Sequence, residues 1–150
     1  MNKFYIDCEF DGHNGPLLSM AVVGDTDSIH IEVIAEAQNT WVLQNVIPLM
    51  DRHKATDEVC CTSLSVGDEV LAFIGERLNG AKIVADSPVD IARFCQAIST
   101  DIHGNWNSVD GDLNFEVHDI ACYPTDLPGA VQHNAWWDAM ALKHKLEAAA

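Results

Sequence analysis

The chain has 150 residues, with 23 Asp and Glu against 8 Lys and Arg, a formal net charge of -15. That length suits a single domain with a real hydrophobic core, and no apolar run is long enough for a helix that spans a bilayer. The acid excess argues against tight binding of duplex or long strands, which Lys and Arg usually provide by neutralising phosphates.

Lys3 to Phe10 reads as the first strand, closed by the turn signals Asp11-Gly12 and Asn14-Gly15-Pro16. Strand alternation puts Phe4, Ile6, Cys8 and Phe10 on one face and Tyr5, Asp7 and Glu9 on the other. The Asp7 and Glu9 carboxylates then stand roughly 6–7 Å apart, near enough to share a cation. Without one, burying both is costly. In a chain this acidic an Asp-x-Glu also arises by chance, so the pair alone fits a polar strand face equally well. Leu17 to Gly24 and Ser28 to Ala35 read as the next two strands of a meander. Thr40 to Asp51 reads as a helix that Pro48 disturbs near its end. Glu58 to Leu64 reads as a strand in which Cys60 and Cys61 fill buried positions, a pair of ligands being the alternative. Ser65 opens a helix to Leu78, with Asp68 completing a capping box and Asn79-Gly80 closing it.

Ala81 to Ala85 is a short buried strand and Val89 to Ser99 a helix, joined by Asp86-Ser87-Pro88. Ser87 or Asp86 serves as the helix cap, and Pro88 suits the first turn. Ile102 to Asp112 is rich in Gly, Asn and Asp and reads as a loop that could cover a site. Asn114 to Ile120 is a further strand. The chain closes with a helix-forming run from Gly129 to Ala150. With the helix starting at Asn134, Ala135, Ala139, Leu142 and Leu146 form one stripe, and Asp138 lies about 60° to its side. A carboxylate flanking a buried seam suggests a partner inside; the alternative is an acid favoured by the helix dipole. His133 falls at the helix entrance. Trp136, Trp137 and Met140 point away from the stripe, as a second core layer under Leu127-Pro128 or as a homodimer contact. Strands first, then strand–helix alternation, predict an α/β fold: a mixed sheet flanked by helices.

The string His133-x-Ala135-x-x-Asp138-Ala139-x-Ala141-Leu142 resembles the third motif of the DEDDh branch of the ribonuclease-H-like 3′–5′ exonucleases, and Asp7-x-Glu9 resembles their first. The continuation Glu9-Phe10-Asp11-Gly12 is similar to small bacterial and phage exoribonucleases of the adenylate-specific type. It is less similar to the Thr-Gly continuation of proofreading exonucleases. The second motif, usually Asn-x-x-Phe-Asp, falls on Asp86 to Asp90. Asp90 takes the place of the metal-binding Asp, Asp86 replaces the Asn, and Val89 replaces the aromatic; Asp86 stays open as the alternative ligand. The resemblance implies a ribonuclease-H-like fold and two Mg²⁺ or Mn²⁺ ions. Asp7 would contact both ions, Glu9 and Asp138 one of them, and Asp90 the other. It also implies that His133 acts as general base, and that Phe10, Asp11, Gly12 and Ser87 meet the terminal nucleotide. The implied substrate is a single-stranded 3′ end, RNA in preference to DNA.

Hard cations suit this donor set, which contains no Cys/His zinc arrangement. Lys3, Lys82, Arg93, Lys143 and Lys145 lie near the motif-bearing elements and could form a local basic rim. The five cysteines (Cys8, Cys60, Cys61, Cys95, Cys122) show no spaced pairing. With a charged first strand where a signal peptide would be apolar, they predict reduced thiols in a cytoplasm and no membrane partner. Two rival classes remain: an acidic mimic of nucleic acid, with carboxylates spread over its surface, and a catalytically silent ribonuclease-H-like module that binds a partner. The filled motif positions argue against the second.

Overall fold

The first strand organises the sheet. In a computed structural model that describes residues 2–120 and 126–150, β1 (Lys3–Phe10) pairs antiparallel with β2 (Leu17–Val23), and β2 with β3 (Ser28–Val33). β4 (Asp57–Cys61) adds in parallel to the outer side of β3. On the other side of β1, β5 (Lys82–Ala85) and β6 (Asn114–Val117) add in parallel, giving the order β4-β3-β2-β1-β5-β6. The sheet is mixed, and β1 sits where the antiparallel β1-β2-β3 meander meets the parallel strands β5 and β6. With α1 (Thr40–Asn45), α2 (Val66–Ile74), α3 (Pro88–Ile98) and α4 (Ala135–Ala148) the fold is α/β, as the pattern of elements predicts.

Strand alternation divides the core in two. Phe4, Ile6 and Cys8 of β1 join Met20, Ile31 and Ile83 beneath α2 and α3, around Val70 and Phe94. Tyr5, with Ala21, Val23 and Val84, packs on the opposite face against Ala135, Trp136, Trp137, Ala139 and Leu142 of α4. Both tryptophans are therefore core residues. Trp136 donates its indole N–H to the Ser28 hydroxyl (2.9 Å) and Trp137 donates to the Arg52 carbonyl (2.7 Å). The homodimer expectation loses the exposed aromatics that motivated it.

Several elements are shorter than their sequence pattern. The α1 helix stops at Asn45 and continues as a 3-10 turn, Ile47–Leu49, because Pro48 has no N–H to donate. The α2 helix stops at Ile74, where Gly75 takes φ 56, and a 3-10 turn carries on to Leu78. The capping box expected at Ser65 does not form: its backbone is already helical and its hydroxyl meets that of Thr62. β4 ends at Cys61 rather than Leu64, and as a sheet edge it leaves Cys60 exposed, not buried. Cys122 lies outside the described residues. Among those residues no helix is long and apolar enough to cross a membrane.

Candidate metal centre

Strand length opens the site. β5 pairs with β1 only from Lys3 to Tyr5 and ends at Ala85, so Asp7, Cys8 and Glu9 run on past its end. Asp86 leaves directly from that end. The Ser87 hydroxyl then accepts the Val89 N–H (3.1 Å) and caps α3, with Pro88 at the first helical position where no N–H is needed. This start turns Asp90 inward, only 4% exposed. Asp86 is thus not the cap; Ser87 is.

From the other face, α4 delivers Asp138 in its first turn. Asn134 caps that helix through the Trp137 N–H (3.3 Å) and donates its amide to the carbonyls of Leu49 (2.8 Å) and Met50 (3.1 Å). One buried side chain therefore starts α4 and fixes it to the segment after α1. His133, the residue before the cap, holds φ 59, a left-handed conformation uncommon for a residue with a Cβ.

The carboxylates converge as two triads. Oxygens of Asp7, Glu9 and Asp138 all lie within 4.8 Å of one another, and so do those of Asp7, Asp86 and Asp90. Asp7 belongs to both. The five acids share a cavity of about 320 Å³ with Phe10, Ser87, Gln132 and His133. Among the described residues no Lys or Arg lines it.

Such crowding makes ionisation expensive. Burial, then the charges of Asp90, Asp138, Glu9 and Asp86, hold the Asp7 carboxyl well above its ordinary range. Burial and the charges of Asp138 and Asp90 push Glu9 up to about 8. Asp90 rises to about 7, chiefly through burial and Asp86, while the Cys8 backbone N–H opposes the shift. Asp138 also rises to about 7, mainly through burial, against the backbone N–H of Asn134. Asp86 is raised by burial and, to a lesser degree, by Asp119. Near neutral pH the cluster must hold protons or take up cations to offset its repulsion.

No protein-family model and no curated protein matches the chain.

Donor chemistry decides which cation fits. Carboxylate oxygens with no thiolate or paired imidazoles suit Mg²⁺ and Mn²⁺, and the one thiol in the lining, Cys8, is pushed up by burial and stays protonated. Asp7, Glu9 and Asp138 could hold one ion, and Asp7, Asp86 and Asp90 a second. Asp86 and Asp90 both offer an oxygen to the second triad.

Not every residue of the sequence reading reaches the cavity. The Asp11 carboxylate accepts the N–H groups of Gln38 (2.8 Å) and Asn39 (2.9 Å), so it staples the approach to α1, and Asp11 lines neither the carboxylate cavity nor its neighbour. Gly12, at φ 76, lies against Asn39 and borders a neighbouring cavity. The basic rim does not assemble either. Lys82 sits at the far end of its strand and pairs with Glu116 (2.6 Å), and Lys143 pairs with Glu147 (2.5 Å). Arg93 stays close, its guanidinium 5.0 Å above the Phe10 ring. The 102–112 loop runs from the C-terminal end of α3 to the start of β6, with Asn107 donating to Ser99 and Gly80 to Asp112. None of it lines the carboxylate cavity.

One residue the sequence reading passed over is Trp41. It is 52% exposed and meets the His133 ring edge-on, 4.9 Å between centroids. With Phe10, Gly12, Asn39 and Val42 it lines a second cavity of about 350 Å³ that shares Cys8, Glu9 and Phe10 with the first. Its signal was an aromatic following the Asn39-Thr40 helix start, at a position that α1 packing does not use.

Proposed function

We propose that this chain is a metal-dependent phosphodiester hydrolase that removes nucleotides from single-stranded 3′ ends, RNA in preference to DNA. The observation that carries this reading is the pair of carboxylate triads sharing Asp7. Two divalent ions bound there would supply the Lewis acidity that activates water on one side of phosphorus and stabilises the leaving oxygen on the other. Asp7 would hold both ions, Glu9 and Asp138 one, Asp86 and Asp90 the other. His133, at the cavity rim beside Asp138, would accept the proton from the attacking water. Phe10 and Trp41 border the adjoining cavity and offer ring faces on which a terminal base could stack.

The order of motifs along the chain and the mixed sheet around β1 support the ribonuclease-H-like exonuclease reading. Convergence of five acids in one cavity also favours it over an acidic mimic, whose carboxylates would act from the open surface. A cytoplasmic setting belongs to the same proposal. The test incubates 5′-labelled single-stranded RNA and DNA with the protein in Mn²⁺ or in EDTA. Stepwise shortening from the 3′ end in Mn²⁺ alone, faster on RNA, is expected. Cleavage that persists in EDTA, or no cleavage at all, overturns the proposal.

A further inference from the structure

A third cavity, of about 230 Å³, opens along α3, lined by Pro16, Ser63, Leu64, Arg93, Gln96 and Thr100 among others, and Arg93 links it to the carboxylate cavity by stacking over Phe10. Among the described residues no acid lines it, in a chain whose net charge is -15. Arg93 gives it a cation. Arg77, Lys82 and Lys143 are each matched by acids: Asp27, Glu116 and Glu147. Among the described residues the partners of Arg93 are instead neutral: the Gly15 carbonyl, which accepts from Nη2 (2.6 Å), and the Phe10 ring. One hydrogen bond leaves most of the five guanidinium donors unused. Arg93 also follows Asp90 by three residues on one helix, which puts their Cβ atoms about 5–6 Å apart. A guanidinium with no acid partner among the described residues thus stands one turn from the metal-ligand candidates and lines a groove that holds no acid among those residues.

We propose that this groove holds the sugar–phosphate backbone of the strand upstream of the scissile bond, with Arg93 taking the first upstream phosphate. The proposal rests on the hydrolase reading of the carboxylate cavity and adds the path of the substrate. An exonuclease places one nucleotide beyond the scissile phosphate and the rest of the strand before it, so it needs such a path. Guanidinium and phosphate match in charge and in bidentate geometry. The groove also gives a strongly acidic protein one local surface where a polyanion is not repelled. A dinucleotide carries only the scissile phosphate and gains nothing from Arg93; each longer strand does.

The test varies the groove rather than Arg93 itself, since loss of Arg93 would also free Phe10. Wild type, Gln96→Lys and Gln96→Glu are compared on a dinucleotide and a hexamer of the same sequence in Mn²⁺. The hexamer-to-dinucleotide preference in kcat/KM should rise about 3–10-fold in Gln96→Lys and fall by a similar factor in Gln96→Glu, and the hexamer's salt dependence should steepen by about 0.7 in log–log slope in Gln96→Lys. Equal preferences in all three proteins would overturn the groove. If wild type cleaves neither substrate, the hydrolase reading fails. Anisotropy of a fluorescent hexamer in Ca²⁺ then still decides the groove, and equal affinities in the two Gln96 variants would sink it.

Discussion

Asp7 is the residue most opposed by its surroundings, since burial and four other acids all work against its charge. Asp7→Asn removes that repulsion. In EDTA at pH 8 the variant should be more stable than wild type by on the order of 1 kcal/mol, which is about 2–4 °C in Tm for a chain of this size. Added Mn²⁺ should then raise its melting temperature far less than that of wild type, because both triads lose their shared ligand. Thermal melts of the two proteins with and without Mn²⁺ check both effects. Under the proposed hydrolase reading, Asp138→Asn and His133→Ala separate ligand from base. The first should lower Mn²⁺-dependent hydrolysis by more than about 100-fold, since even outer-shell partners of a metal cost 10–100-fold. The second should lower kcat by about 10²–10⁴-fold while the Mn²⁺ shift in Tm persists. Asp7, Glu9 and Asp138 were legible as candidates through strand alternation, position beside a helix stripe and the motif resemblance. The first two are local rules and left a polar strand face equally open for Asp7 and Glu9. The fate of Asp11 was not legible. Its partners are the backbone N–H groups of Gln38 and Asn39, a contact that forms only once the strands have folded.

At the scale of elements, the site depends on how α3 is seated, because α3 carries Asp90 and starts at Ser87. Its seat is the close approach of α2 at Gly67, where an added Cβ would fall 2.1 Å from the Ala97 carbonyl oxygen. Gly67→Ala should therefore force the two helices apart and destabilise the protein by about 1–3 kcal/mol in urea unfolding. It should also weaken the Mn²⁺-induced rise in Tm, since Asp90 moves with its helix. A loss of stability with the Mn²⁺ response unchanged would mean that α3 can shift without disturbing the cluster. Element types and order followed from periodicity, whereas element ends depended on backbone choices the pattern does not contain. Gly75 could have continued α2 or ended it, and its φ of 56 ends it. Ser65 has the residue type of a cap, but its N–H closes a turn onto Thr62 and its hydroxyl is used there.

Across the whole molecule the raised carboxylates link folding to pH with a definite sign. In the unfolded chain these acids release their protons near their ordinary values, 3.8 for Asp and 4.5 for Glu. In the folded chain Asp90 and Asp138 keep theirs to about 7 and Glu9 to about 8. The folded state therefore binds more protons throughout that interval, and stability falls as pH rises. His30 works the other way. Burial and then the charge of the adjacent His53 lower it to about 3, so it costs stability only as pH falls towards and below about 6.5, where the unfolded histidine takes up a proton. Between about pH 7.5 and 8.5 His30 is essentially neutral in both states and the acids dominate. Melting temperature in EDTA should fall across this range. General repulsion from the net charge of -15 acts in the same direction, so a second protein is needed to assign the slope. The Asp7→Asn/Asp138→Asn double variant keeps most of the surface charge, and its melting temperature should fall much less steeply. With saturating Mn²⁺ the wild-type trend should reverse, because cations bind the deprotonated cluster and compete with protons at the lower pH. A wild-type slope matched by the double variant, or unaffected by Mn²⁺, would place the pH dependence on the outer surface and remove the energetic reason for cations to enter the cavity.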